Sequence, residues 1–370
     1  MNLSYWEFKT WLSNIDFTIV GSGIVGLNCA LVLRRKYPKA KIMVLEKGIL
    51  PQGASTKNAG FACYGSISEI LSDVQGHTEQ EVIQLVDQRW KGIQLLRNTL
   101  GDAAMDFQQF GGHELFLAHN EELYTHCREN LEKVNSLLKP VFKTSAFELQ
   151  KNRFHFKNIK ERYITNTFEG QLDTGKMMAA LLNLAAKSKI QILNSLEVVK
   201  FQETGDMVEV KTPAFDFKTN KLLIATNGFA SQLIGEMVKP ARAQVLITKP
   251  IPNLHIKGTF HFDEGYYYFR NIDNRILFGG GRNMDFQGEE TYEQGMTSLI
   301  QNQLEKILGE IILPQIPFDV DLRWSGIMGV GAVKKPIIKQ LSNNVYCGVR
   351  LGGMGVAIGS HVGKDLAELV

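Results

Sequence analysis

The glycines of the run Gly21-Ser22-Gly23-Ile24-Val25-Gly26 are spaced to bind a pyrophosphate, and Glu46, 20 residues beyond the last of them, is spaced to bind a ribose. Each position has a physical task. The first glycine permits a tight turn, the second lets backbone approach the phosphates, and the third lets a helix pack closely on a strand. The helix that follows offers unpaired N–H groups and a partial positive charge to the anion. A carboxylate at the end of the second strand, with Lys47 beside it, accepts hydrogen bonds from both ribose hydroxyls and repels a 2'-phosphate. These residues predict a bound dinucleotide and leave FAD and NAD both open.

The elements needed to position that turn surround it. Residues 17–20 are apolar and β-prone, 27–36 read as a helix and 41–45 as a second strand, giving strand, turn, helix, strand. Farther on, Asp173-Thr174-Gly175-Lys176 opens a helix whose apolar set is Met177, Leu181, Leu182 and Leu184, with Met178 toward the surface. Residues 190–193, 198–201 and 221–225 read as strands, the last turning at Thr226-Asn227-Gly228. Residues 266–270 and 276–281 form a pair of strands joined at Asp273-Asn274, with Tyr266 and Tyr268 on one face and Tyr267 on the other. Residues 345–350 are a strand, and Leu351-Gly352-Gly353-Met354-Gly355 turns into a helix over 356–369.

A chain of 370 residues, 44% hydrophobic and 21% charged, is globular in composition and long enough for two domains. Its 41 basic and 38 acidic residues are dispersed and leave a net charge of +3, with no basic run to track phosphates, so nucleic acid is excluded as a partner. Cys29, Cys63, Cys127 and Cys347 lie far apart without a CxxC pair, which argues against a zinc site or a disulfide framework and for a reducing cytoplasm. The eight histidines, His113 and His261 among them, have no metal-ligand spacing, so no metal is expected. The first 14 residues carry Tyr5, Trp6, Phe8 and Trp11 without the apolar core of a signal peptide. No stretch reaches the roughly 18 apolar residues of a spanning helix. Trp6 and Trp11 are expected to cover the first strand, with contact to a membrane surface as the alternative.

The segment Gly53-Ala54-Ser55-Thr56-Lys57-Asn58-Ala59-Gly60-Phe61 resembles the flavin-facing loop of the D-amino-acid oxidase family, which includes glycine and sarcosine oxidases. The blocks around 173–176, 190–201, 221–228, 266–281 and 345–355 resemble the same family, in its order. The resemblance implies an α/β fold. A discontinuous Rossmann-like FAD-binding domain would comprise 13–80, 165–235 and 323–370. An α+β substrate domain with a largely antiparallel sheet would comprise 81–164 and 236–322. FAD is then the implied cofactor. It is expected to be non-covalent, because Asn58 stands where covalently flavinylated relatives carry a loop histidine, and Cys347 reads as a small buried hydrophobe.

The resemblance also assigns contacts. Ser55, Thr56, Asn58, Ala59 and Gly60 would face the pyrophosphate and flavin, although the polar ones also suit loop capping. Backbone at Val198 or Val199 would meet the adenine. Ala225, Thr226, Asn227 and Gly228 would form a second dinucleotide-contacting turn. Gly326, Arg350, Gly352, Gly353, Met354, Gly355 and Val356 would meet the flavin, the last helix aiming its N-terminus at the N1–C2=O edge, where charge accumulates on reduction. Lys57 reads either as a solvated lysine or as a charge near the flavin or a substrate carboxylate. Tyr266 and Tyr268 read either as substrate contacts or as core. Glycine-oxidase-like members place a carboxylate-binding arginine in a Trp-x-Gly-x-Arg segment; here Arg323-Trp324-Ser325-Gly326-Ile327-Met328 puts Met328 in that position. Arg350 is the expected replacement, with Arg270 and Arg323 behind it and a structural ion pair as its other reading.

The chemistry implied is oxidation of the C–N bond of an amine or amino acid, with hydride transfer to flavin N5 and hydrolysis of the imine, needing no strong protein base. The electron acceptor, oxygen or a quinone, stays open. Two alternatives are a flavoenzyme oxidising a 2-hydroxy acid and a flavin-binding protein without turnover.

Overall fold

Residues 15–20 are apolar or β-branched at nearly every position, which suits a strand covered on both faces. In the structure, a computed structural model that describes residues 3–235 and 238–370, Ile15–Val20 lies inside an eight-stranded sheet between Ile42–Leu45 and Asp216–Ile224, parallel to both. Gln191–Leu193 and Val345–Val349 extend the parallel set outward. Ile337–Ser342 closes one edge in antiparallel fashion, and the hairpin Lys200–Thr204 and Met207–Lys211 pairs along Asp216–Ile224. The helices Ile24–Lys36 and Gly355–Glu368 pack on each other, and Glu79–Leu100 packs on the latter.

A second eight-stranded sheet runs in the order Val320–Val330, Lys239–Thr248, Arg275–Gly280, Tyr267–Ile272, Thr259–Phe262, Gly112–Glu114, Arg162–Asn166, Phe147–Lys151. All its neighbours are antiparallel except Thr259–Phe262 with Gly112–Glu114. Its aromatic core includes the stacked pairs Phe260/Phe269, 4.7 Å between ring centroids, and Phe262/Tyr267, 5.2 Å. The combination is the expected mixed α/β fold with a Rossmann-like sheet and a largely antiparallel one.

Several expectations are corrected. Residues 323–330, and 165 and 166, assigned from sequence to the first domain, belong to strands of the second sheet. Residues 81–100, assigned to the second domain, lie in helix Glu79–Leu100, which packs on a helix of the first. Val198 and Val199 precede their strand, which starts at Lys200. Met178 is buried with Met177 because the buried stripe of Thr174–Lys187 runs through Met177, Met178, Leu181 and Ala185. Trp6 and Trp11 do not cover the first strand: they are 67% and 47% exposed, and Leu12 is the residue buried from that segment. Among the described residues no helix is long and apolar enough to cross a membrane, and no three metal-ligating side chains converge.

Candidate active site

Gly21 has φ of +105° and donates its N–H to the Leu45 carbonyl at 2.8 Å, fixing the turn between the first two strands. A Cβ on Gly26 would fall 1.9 Å from the Gly21 carbonyl oxygen, so helix and turn close only with glycine there. Helix Ile24–Lys36 has no side-chain cap from Gly23; instead Ser55 Oγ accepts from Ile24 N–H at 2.9 Å. Ser55 takes only the first N–H of this helix, and a helix N-terminus on a glycine turn is an anion site. Glu46 is 7% exposed, and its Oε2 accepts from Ser22 Oγ at 2.6 Å and Ser22 N–H at 3.2 Å, while Oε1 accepts from Gly48 N–H at 3.0 Å. Ser22 therefore holds the carboxylate in place.

This turn opens on a cleft of about 1380 Å³, larger than the roughly 300–1,000 Å³ typical for drug-sized ligands and suited to an extended one. At one end lie Glu46, Lys47, Val198 and Val199, with Lys47 paired to Glu197 at 2.6 Å. Gly21, Gly23, Ile24, Val25, Ser55, Ala225, Thr226 and Asn227 line its middle. Asn58, Ala59, Gly326, Gly352, Gly353, Met354, Gly355 and Val356 follow, so the N-terminus of the last helix meets the same space. The glycine cradle, the buried acid and the two helix N-termini fit a dinucleotide carrying a ring system.

Five expected contacts do not reach the cleft. Ser22 is fully buried behind Glu46, and Gly26 packs on Gly21. Gly60 and Gly228 pack against the Leu172 and Met328 carbonyls. Thr56 turns into its own loop, donating to Pro51 O at 2.6 Å, and lines a separate hollow of about 350 Å³. Asn58 both lines the cleft and locks the loop, donating to Ala54 O and Ser55 O and accepting from Gly60 N–H and Thr174 Oγ1.

The second sheet presents Tyr268, and the turn before that strand presents Tyr266, both lining the cleft, while Tyr267 turns into the core. The Tyr268 ring stands edge-on to Phe61 at 5.7 Å, and burial pushes its phenol up to about 12, so it stays neutral. His261, opposite Tyr268 in the strand register, also lines the cleft; burial holds its imidazole down at about 4, and Nε2 has no partner among the described residues. Lys57 lines the cleft while its carbonyl accepts from Trp324 Nε1 at 3.0 Å.

The arginines separate. Met328 lines the cleft, as does Arg350, whose backbone is left-handed at φ +65° and whose Nε and Nη2 donate to the Lys335 carbonyl at 3.1 and 2.9 Å. Its structural partner is thus a backbone carbonyl and not the acid of an ion pair. Arg270 is 3% exposed and holds the Ala59, Gly60 and Leu172 carbonyls with Nη1. Arg323 is bound to Gln301 at 2.6 Å and Glu305 at 2.7 Å. Neither lines the cleft. Sequence reasoning missed Cys63, Glu69, Arg89, Glu169 and His261, all of which do. Only His261 left a readable signal, since alternation along Thr259–Phe262 sets it opposite Phe260 and Phe262 and on the face of Tyr268.

A model of the DAO family, described as FAD dependent oxidoreductase, matches residues 16–369. The chain is 22% identical to the probable oxidoreductase OrdL of Haemophilus influenzae over 380 residues, covering 98% of this chain and 84% of that one. Among solved structures it is similar to L-proline dehydrogenase from P. horikoshii, with a TM-score of 0.75 and 19% identity over 96% of this chain and 93% of that one. It is likewise similar to glycine oxidase from Geobacillus kaustophilus, with a TM-score of 0.75 and 16% identity over 96% and 94%. Matched over almost its full length, the chain belongs to the DAO family of FAD-dependent oxidoreductases.

Proposed function

We propose that this protein oxidises the C–N bond of an amine or amino acid, with FAD held non-covalently in the cleft. The observation that carries the reading is that two helix N-termini and the sheet face bearing Tyr268 and His261 open on one cavity. Bound FAD supplies the acceptor for a hydride from the substrate carbon. Around it the glycine turn binds the pyrophosphate, Glu46 binds the ribose, and backbone at Val198 and Val199 meets the adenine. Gly352, Gly353 and Gly355 bring the last helix to the ring system, placing a partial positive charge where negative charge develops. Tyr266 and Tyr268 cover the substrate, and His261, neutral at physiological pH, accepts a hydrogen bond without demanding a proton.

The names of two similar structures, a proline dehydrogenase and a glycine oxidase, support an amine substrate. Non-covalent attachment is supported by Asn58, whose amide is spent on the loop, and by the cysteines. Cys347 is buried in a strand, and burial pushes the Cys63 thiol well above its usual value, leaving it a poor nucleophile. All four cysteines are free, which supports a cytoplasmic setting.

Anaerobic mixing of the yellow protein with a panel of amines, amino acids and 2-hydroxy acids tests the reading. Bleaching by members of the first two groups alone is expected. Bleaching by hydroxy acids alone would replace the reaction, and no bleaching would leave a flavin-binding protein. Acid precipitation should release all yellow colour, and a yellow pellet would refute non-covalent binding. Reoxidation by oxygen against a soluble quinone then identifies the acceptor.

A further inference from the structure

Residues 3–16 hold four large aromatic side chains in solvent. Ser4 opens the segment with a capping box, its Oγ accepting from Glu7 N–H at 3.2 Å and its own N–H donating to Glu7 Oε2 at 2.7 Å. The helix Tyr5–Glu7 widens over Phe8–Leu12, and Leu12, 4% exposed, sinks into an apolar cluster on the first sheet, with Leu3 packed on the same cluster. Anchored at both ends, the segment leaves Tyr5, Trp6, Phe8 and Trp11 between 47% and 67% exposed. Lys9 Nζ lies 5.5 Å from the Tyr5 ring centroid and 5.9 Å from that of Trp6. So much ring surface in water is unfavourable, and the oxidation chemistry makes no use of it.

Beside the aromatics stands a cluster of cations. Ile15–Val20, Ile42–Leu45 and Gln191–Leu193 are parallel neighbours, so the segments that lead into them meet at one edge of the sheet. Lys41 ties the aromatic segment to that edge, donating to the Thr10 and Ser13 carbonyls at 2.7 and 2.8 Å. Arg34 ties the other two entries together, donating to the Ala40, Ser188 and Lys189 carbonyls at 2.7, 3.0 and 3.1 Å. Around these tethers Lys9, Arg35, Lys39, Lys187 and Lys189 are exposed, and none of them forms an ion pair among the described residues. In residues 3–16, 34–41 and 187–190 the acids are Glu7 and Asp16. Glu7 is spent on Ser4, and Asp16 accepts from Lys41 N–H at 2.7 Å and from Asn220 Nδ2 at 3.2 Å. The edge is therefore both aromatic and positive.

We propose that this edge docks on an anionic bilayer surface. Tryptophan and tyrosine rings settle at the headgroup level of a bilayer, and lysines and arginines beside them are drawn to anionic lipids. The aromatics are interspersed with Ser4, Glu7, Lys9 and Thr10, so they make no continuous apolar run for a protein core to cover. A second copy fits worse, because a two-fold contact would set this edge against itself and oppose like charges. Val20, Gly21, Leu45 and Glu46, at the other ends of the same strands, line the cleft, so docking leaves the cleft facing away from the bilayer.

The test is co-sedimentation of the FAD-bound protein with vesicles of phosphatidylcholine, or of equimolar phosphatidylcholine and phosphatidylglycerol, read by flavin absorbance in the pellet. Wild type should bind the mixed vesicles more tightly by roughly ten-fold or more, and high salt should remove the preference. Lys39→Glu combined with Lys189→Glu should weaken binding to mixed vesicles by about ten-fold. Trp6→Ser combined with Trp11→Ser should weaken it by about five-fold or more. Both pairs change exposed side chains, so FAD content should stay at the wild-type level. Brominated phosphatidylcholine in the mixed vesicles should quench the tryptophan emission of wild type, and much less that of Trp6→Phe combined with Trp11→Phe. Equal binding to the two vesicles, either charge or serine pair within about two-fold of wild type, or unquenched emission would overturn the proposal. So would loss of FAD by both pairs. A wild-type dimer in sedimentation velocity that the serine pair converts to monomer would also overturn it, and would assign the edge to a second copy.

Discussion

Replacing Glu46 by glutamine changes one oxygen to an NH₂ group at nearly constant shape, at a position only 7% exposed. The carboxylate accepts three hydrogen bonds, two from Ser22 and one from Gly48. Glutamine can turn its single oxygen toward Ser22, but its NH₂ then faces the Gly48 N–H, leaving two donors opposed. An unpaired buried donor costs about 1–3 kcal/mol, which should appear as lower stability of the FAD-free protein. The ribose separately loses a charged acceptor worth about 1.5–3 kcal/mol, or roughly 10- to 150-fold in FAD affinity. Titration of the apoprotein with FAD, read by flavin fluorescence, measures the second effect, and urea unfolding of the apoprotein measures the first. An unchanged dissociation constant beside reduced stability would mean that Glu46 only braces Ser22 and Gly48, and the ribose assignment would fail.

Gly26→Ala should drive a methyl group into the Gly21 carbonyl, destabilising the turn by about 1–3 kcal/mol. Purified variant with a full complement of FAD and unaltered melting would contradict this. Arg350→Met frees the Lys335 carbonyl and should cost about 1–2 kcal/mol in stability, with faster hydrogen exchange over 331–336, unchanged FAD content and less than about ten-fold loss of kcat/KM. A hundred-fold loss confined to carboxylate-bearing substrates would return Arg350 to the anchor role. Glu169 is an acid whose folded pKa, about 8, exceeds its usual 4.5, so the folded state holds the proton longer and stability falls as pH rises through that window, by at most about 1.4 kcal/mol per unit for this group. Urea unfolding of the apoprotein at pH 5 and pH 8 should show the decline in wild type and a shallower one in Glu169→Gln; identical slopes would refute it.

The geometry of the glycine turn and of Glu46 was legible because it is local. Gly21, Gly23 and Gly26 act within one turn, and Glu46 is tied to them by a fixed strand, so spacing alone carries the geometry. What spacing does not carry is which of these atoms touch a ligand. Ser22, Thr56 and Gly60 have the residue types of contacts but spend them on Glu46, on Pro51 and on close packing against Leu172. Val198 and Val199 read as strand from β-propensity, yet the strand begins two residues later than expected, at Lys200, although Val199 N–H already donates to Lys211 O. The exposed Trp6 and Trp11 show the same limit from the other side: an aromatic at an expected covering position is not covered, because Leu12 fills that role.

Other groups that line the cleft come together through contacts remote in sequence. Arg89 looks like any polar residue on an amphipathic helix until Gly92 brings that helix onto Ala357 and turns the guanidinium toward the cleft. Glu169 stands in a short turn with no periodicity of its own, and it is placed by the pairing of Gly170–Gln171 with Phe61–Ala62 and by the Tyr64 and Gly65 amides. The sequence does register the missing charge, at Met328, and Arg350 is the expected replacement because it ends the last strand just before the glycine turn. Its guanidinium instead clasps Lys335, because the left-handed backbone at Arg350 directs the side chain across Gly331 to that loop.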